Sequence, residues 1–330
     1  MKPLRLSQAI RGFLMEKEAT GKSQYTLRNY RYSFAKVKTF LEECHQGIDP
    51  YFNEIDRNMW VEFLVWLQHR PCGGAAPREK ELSAKSVCNV YIDLSALYTW
   101  GLKLELVSKH LIQTIERPEY EKAAIDTFTK EEMQRMLKAC EYSLPWRGHE
   151  HRKTKRPTAT RDRAIILLLL SSGIRASELC GIRISDIDMK ARELLVRGKG
   201  RGKDSKERLV PFGTRTQRAL WRYMVEFEED RSETARLFVV DLKDPRQMGR
   251  GALQHMLLGV GERAGIPNVH PHRFRHTFAI NYLRNGGDLL TLQAILGHRD
   301  LRMVKHYAKV AAEDCAAVHR RADPVDTWAL

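Results

Sequence analysis

The 330-residue sequence lacks any apolar run long enough to cross a bilayer. A spanning helix needs about 18 or more apolar residues in succession. The longest candidate, Ala164 to Leu170, is far shorter and reads as a buried helix. The first residues (Met1, Lys2, Pro3, Leu4, Arg5) show no apolar h-region and no small-residue cleavage site, which predicts a chain that is not exported. Cysteines stand at 44, 72, 88, 140, 180 and 315, with no C-x-x-C pair and no zinc-like cluster. Scattered reduced thiols of a cytosolic protein are the expectation. Internal repeats and low-complexity tracts are also missing, which sets aside solenoids and disordered tails.

What the chain has in excess is positive charge. Lys and Arg total 56 against 41 Asp and Glu, a net +15. The surplus is uneven: residues 1–124 carry 18 basic and 15 acidic side chains, and residues 125–330 carry 38 and 26. Such a balance favours a polyanionic partner and demotes small neutral substrates. With 43% hydrophobic residues the composition is that of a globular protein, and the length predicts two domains.

Residues 1–114 read as a helical domain. Apolar residues recur at helical spacing through Leu6, Ala9, Ile10, Phe13 and Leu14, and again from Ser23 through Tyr30, Phe34, Val37 and Leu41. A third helix covers about Asn58 to Gln68, and a fourth runs from Leu82–Ser83 to about Gly101. Residues 115–125, polar and broken by Pro118, read as a linker. Beyond it, Thr129 caps a helix ending near Cys140, and the basic stretch 141–160 reads as an exposed loop. Arg161 to Ser171 is an apolar helix closed by Gly173. Glu193–Arg197 and Arg208–Phe212 alternate like strands of a β-hairpin, and from Thr214 the pattern is helical almost to the end. The expected class is mainly α with a small β-hairpin or sheet in the second domain, residues 126–330, an α+β arrangement.

Five features in that second domain carry chemistry. Arg175 follows the glycine turn in SSGIRASEL, with Glu178 three residues on; alone they make a structural ion pair. Lys199 lies among glycines at the hairpin tip, where a solvated basic loop is the plain alternative. In HPHRFRHTFA, His272 and Arg275 project from one helix face. His272 and His276 have the spacing of a zinc pair, but Arg273 stands where a zincin carries Glu and two arginines oppose a cation, so no metal is assigned. His298 follows Gly297 in LGHRD, where it could simply cap a helix, and Tyr307 lies in KHYAKV. Together, two arginines, a lysine, two histidines and a tyrosine are what attack on a phosphodiester requires. Guanidiniums stabilise the non-bridging oxygens, a tyrosine with an activating neighbour attacks, and a lysine protonates the leaving oxygen.

In order and spacing these motifs (GIRASEL, VRGKG…KERLVPF, HPHRFRHTFA, ILGHRDL, HYAKV) resemble those of the tyrosine recombinases, the phage-type integrases and Xer-like enzymes. The resemblance covers the whole chain and implies a core-binding domain and a catalytic domain that clamp duplex DNA like a C. It implies that Tyr307 forms a 3′-phosphotyrosyl intermediate and that Arg175 and Arg275 hold the phosphate. Lys199 would protonate the 5′ oxygen, His272 would assist proton transfer at the tyrosine, His298 would hydrogen-bond the phosphate, and Glu178 would orient Arg175. No cofactor is implied. The implied partners are a specific double-stranded DNA site and a homo-tetramer on two sites with a dimer per site; an accessory DNA-bending or directionality factor is compatible with the resemblance and not required by it. The implied location is the cytoplasm, at the nucleoid.

By the same analogy Arg28, Arg31, Lys85 and Asn89 face the major groove, with Arg201 and Lys203 as further DNA contacts. The hairpin is longer than the family's usual turn, which leaves Lys203 and Lys206 as rivals to Lys199. Seven basic residues between Arg147 and Arg163 either grip phosphates or form a solvated loop. The tail, residues 313–330, carries Val318, Val325, Trp328 and Leu330, which in the family would pack onto a neighbouring protomer. Two other functions share the same features: DNA relaxation of the type IB topoisomerase kind, and a non-catalytic DNA-binding regulator.

Overall fold

The computed structural model describes residues 3–70, 81–121, 124–143, 154–198, 207–226, 232–241 and 246–297, with 304, 307, 308, 310 and 319. The chain divides into two compact units, Met1–Ala123 and Ala124–Leu330. Among the described residues no helix is long and apolar enough to cross a membrane.

The first unit is built from helices α1 (Leu6–Ala19), α2 (Gln24–Cys44), α3 (Arg57–Gln68) and α4 (Ala84–Lys103). Three of them start on a short polar side chain that accepts an otherwise orphaned backbone N–H: Ser23 from Thr26, Asp56 from Met59 and Ser83 from Ser86. Their apolar faces enclose an aromatic-rich core in which Phe13, Phe40, Trp60, Phe63 and Tyr98 are fully buried. Polar atoms in this core are matched: the Trp60 indole N–H donates to the Tyr98 hydroxyl at 2.7 Å. The Tyr91 hydroxyl bonds to the carbonyls of Ile112 and Ile115, each at 2.9 Å. The start of the expected linker is therefore packed on the bundle, with Ile115 itself buried.

The second unit centres on α6 (Ala159–Ser172), which packs against α8 (Thr214–Met224) and α10 (Pro271–Arg284). With Ala164, Ile165, Ile166, Leu168 and Leu169 all buried, α6 has no solvent face, as its near-continuous apolar run requires. It begins two residues earlier than the sequence suggested. Asp162, in the first turn and fully buried, binds Arg161 at 2.7 Å and Arg156 at 2.8 Å. Arg161 also donates to the carbonyls of Val239 and Val240. These two members of the basic stretch are internal braces rather than phosphate grips.

The remaining elements are α5 (Lys130–Ala139), α7 (Ala176–Leu179), α9 (Arg250–Ala264), α11 (Leu289–Leu296) and an antiparallel sheet of β1 (Ile187–Asp188), β2 (Glu193–Arg197) and β3 (Glu207–Pro211). Leu194 pairs with Val210 and Ile187 with Leu194, so the hairpin carries a third short strand too brief to show in the sequence pattern. The helical expectation after α8 fails over 232–241. That stretch is irregular chain, bridged at Arg236 to Arg183 and at Val239 to Gln247. Leu237, Phe238 and Val239 are buried there, and an apolar run this short does not reveal its period.

Tyr98→Phe leaves the fully buried Trp60 N–H without its acceptor. It should cost about 1–3 kcal/mol of stability in the first unit, read by urea unfolding. An unchanged midpoint would show that this bond contributes nothing net.

Candidate active site

Six pieces of chain meet here: the turn after α6, α7, β3, α10, the end of α11 and the segment containing Tyr307. The turn depends on Gly173, which caps α6 in the left-handed region (φ +61°), where a Cβ would run into the Phe278 ring. The next residues extend the chain and place Arg175 ahead of α7. Glu178, one turn on, accepts the Arg175 backbone N–H at 2.8 Å and its guanidinium at 2.9 Å.

Glu178 has a second partner. Arg208, on β3, donates to both carboxylate oxygens at 3.1 and 2.9 Å. Burial alone would raise the Glu178 pKa, but the bond from Arg208, the Arg175 N–H and the charge of both arginines outweigh it and hold the carboxyl below its ordinary 4.5.

Arg275, on α10, is 3% exposed. Its two terminal nitrogens donate to the carbonyls of Gly173 and Leu296, both at 2.8 Å. Burial, together with the charge of Arg175, brings its pKa down to about 10, which leaves it a cation at neutral pH. The carbonyls at the end of α11 are shared in sequence: Ile295 accepts from Arg208 (2.7 Å), Leu296 from Arg275 and Gly297 from Arg175 (3.4 Å). Gly297 takes φ +62°, and a Cβ there would lie 2.9 Å from the Arg208 guanidinium.

Tyr307 is 5% exposed and packs with Val304 against Ala279 and Ile280 of α10 and Leu292 and Leu296 of α11. Its hydroxyl lies 2.9 Å from Nδ1 of His276. Burial raises its pKa above 10, opposed by the charge and hydrogen bond of Arg275 and the charge of Arg175. His272 remains exposed by area, yet loss of water around the ring, then Arg275, His270 and Arg175, push its pKa below 6.5, so the imidazole is neutral at pH 7. A phenol, two imidazoles and paired guanidiniums in one place suit nucleophilic attack on a phosphodiester.

Comparison with known proteins agrees with this chemistry. Residues 126–314 match the Phage integrase family and residues 5–117 the Phage integrase SAM-like domain. The chain belongs to the tyrosine recombinases of the phage integrase family.

The recombinase is thus an enzyme that cleaves and rejoins DNA strands. It is 30% identical over 304 residues to a Staphylococcus epidermidis protein, tyrosine recombinase XerC, covering 92% of each chain. A Staphylococcus aureus protein of the same name is 31% identical over 304 residues, covering 92% of this chain and 91% of the relative. Its fold is that of the Tn1549 transposon integrase in complex with circular intermediate DNA (18% identity, TM-score 0.67, 91% of this chain and 94% of that one). It is also that of a lambda integrase dimer bound to a COC′ core site (15% identity, TM-score 0.68, 92% and 77%).

Of the residues singled out from sequence, the recombinase brings Arg175, Glu178, His272, Arg275 and Tyr307 to this site. Lys199, His298, Arg201 and Lys203 lie outside the described residues, as do Lys206 and most of residues 313–330. In the first unit Arg28, Arg31, Lys85 and Asn89 are all exposed, and Arg31 lies 3.6 Å from Glu18. Two site residues escaped the sequence reading. Arg208 shares the inward register of Val210 on β3, and a cation on an inward face implies a buried partner. His276 was weighed only as a metal ligand.

Glu178→Gln should lose roughly 3–5 kcal/mol at pH 7, because it strands two cations in a mostly buried site. Glu178 is ionised more readily folded than unfolded. Its contribution is therefore complete above about pH 4.5 and fades as pH falls through the lower folded value. The stability gap between variant and parent should close below that pH in chemical unfolding; a gap that stays constant would contradict this assignment.

Proposed function

We propose that the recombinase acts at a specific duplex site through a 3′-phosphotyrosyl intermediate formed on Tyr307. The observation that carries this reading is the Tyr307 hydroxyl hydrogen-bonded to Arg275 and within the field of Arg175. Attack of the phenolic oxygen on phosphorus puts charge on the two non-bridging oxygens, where Arg175 and Arg275 stabilise it. An arginine carries five N–H donors, so bonds to carbonyls position each guanidinium without exhausting it. Glu178 orients Arg175, His272 assists the departure of the tyrosine proton, Lys199 protonates the leaving 5′ oxygen, and His298 bonds the phosphate. The phosphotyrosine preserves the bond energy for rejoining. Attack by a partner strand's 5′-hydroxyl then gives a Holliday junction, and a second round gives recombinant duplexes.

In this reading both units bind the duplex, with Arg28, Arg31, Lys85, Asn89, Arg201 and Lys203 as contacts. Four protomers act on two sites, in the cytoplasm at the nucleoid, with an accessory DNA-bending or directionality factor. The net charge of +15 supports a DNA partner, and affinity should fall steeply with salt through counterion release.

The test is covalent trapping in EDTA on nicked duplexes drawn from DNA flanking the gene, followed by peptide mapping of the adduct. An adduct on Tyr307, lost in Tyr307→Phe with binding retained, is the expected result; cleavage by that variant would remove Tyr307 from the chemistry. Arg175→Ala should slow adduct formation by roughly 10²–10³-fold, the value of one oxyanion donor.

A further inference from the structure

His276 is the imidazole in direct contact with the tyrosine. Nδ1 lies 2.9 Å from the hydroxyl, and the two rings stand 5.5 Å apart at 54°. His272 stacks on His276, with centroids 6.1 Å apart, so the ring contacts run from His272 to His276 to Tyr307. The hydrogen-bond roles follow from the partners. A guanidinium can only donate, so the Tyr307 oxygen accepts from Arg275. The hydroxyl hydrogen is then available to His276, an arrangement in which Nδ1 accepts and the ring hydrogen sits on Nε2.

We infer that His276, through Nδ1, is the base that takes the Tyr307 proton during strand cleavage. This rests on the reading of Tyr307 as nucleophile. The Oη–H bond breaks as the Oη–P bond forms, and the proton converts the His276 imidazole to imidazolium. The electron pair of the P–O5′ bond leaves with the 5′ oxygen, which is protonated by the lysine acid. On rejoining, the imidazolium returns its proton to the departing phenolate. The need for such a base is physical: burial raises the Tyr307 pKa above 10, so the phenol does not ionise unaided at neutral pH. The base and the phosphate clamp Arg275 are adjacent on α10, one rigid element, which fixes their mutual geometry. Among the described residues, the titratable groups whose rings meet His276 are His272 and Tyr307, and Arg275 precedes it on the same helix.

The test compares the parent with His276→Asn and His276→Leu. The Asn amide oxygen reaches the place of Nδ1 and accepts a hydrogen bond but cannot take the proton. Single-turnover adduct formation is followed on the same nicked duplexes from about pH 6 to pH 10, spanning ordinary His and Tyr pKa values. Both variants should be slowed roughly 10²–10⁴-fold near pH 7. The deficit should shrink at high pH as tyrosinate forms. It should persist on a duplex with sulfur in place of the bridging 5′ oxygen, whose thiolate leaves without an acid. Cleavage by His276→Asn within about threefold of the parent at every pH would overturn the inference, as would rescue by the sulfur duplex. If the parent itself forms no Tyr307 adduct, the reading of Tyr307 has failed separately. Histidine ¹⁵N NMR of the free protein then decides: an unprotonated Nδ1 on His276 at neutral pH supports the acceptor role, and a protonated Nδ1 overturns it.

Discussion

Three consecutive carbonyls at the end of α11, those of Ile295, Leu296 and Gly297, receive three guanidiniums from three other parts of the chain. The last carbonyls of a helix have no partners within it and carry the negative end of its dipole, so cations are favoured there. Arg208 arrives from β3, Arg275 from α10 and Arg175 from the turn after α6. The helix end thus fixes the relative position of elements distant in sequence, and Glu178 ties two of the same arginines from the other side. The glycine following α11 belongs to this arrangement: its left-handed backbone brings the last carbonyl into line, and the absence of a Cβ leaves space for Arg208.

The arrangement concentrates positive charge where burial opposes it. Arg275 sits almost wholly inside the protein, and its pKa falls for that reason. Carbonyl dipoles and the Glu178 carboxylate offset part of that cost, and in the proposed reading the remaining field serves the phosphate. The same field acts on neighbouring groups in opposite directions: it favours ionisation of Tyr307 and disfavours protonation of His272. The phenol beside imidazoles and fixed cations thus bears no charge at rest, as burial holds its pKa up.

Much of this was legible in the sequence because it is local. Helical periodicity and capping residues such as Ser23, Ser83 and Thr129 marked elements whose hydrogen bonds close within a few residues. The pairing of Arg175 with Glu178 spans three positions and needs nothing else to form. What failed was of another kind. Arg161 and Arg156 read as surface cations, and only the packing of α6 reveals that Asp162 is buried between them. The stretch 232–241 read as helix, but its Leu237 and Val239 are held by irregular chain on either side.

The sequence by itself determined the reacting groups, their order along the chain and the positive charge that suits them to DNA. It also determined the helical caps and the left-handed glycine turns, since these depend on neighbours within one turn of chain. Tertiary structure alone decided that Arg208 shares Glu178 with Arg175 across 30 positions, and that His276 touches Tyr307 across 31. These contacts join helices and strands whose mutual placement is set by the burial of whole faces, and burial is a property of the packed chain that no local spacing encodes.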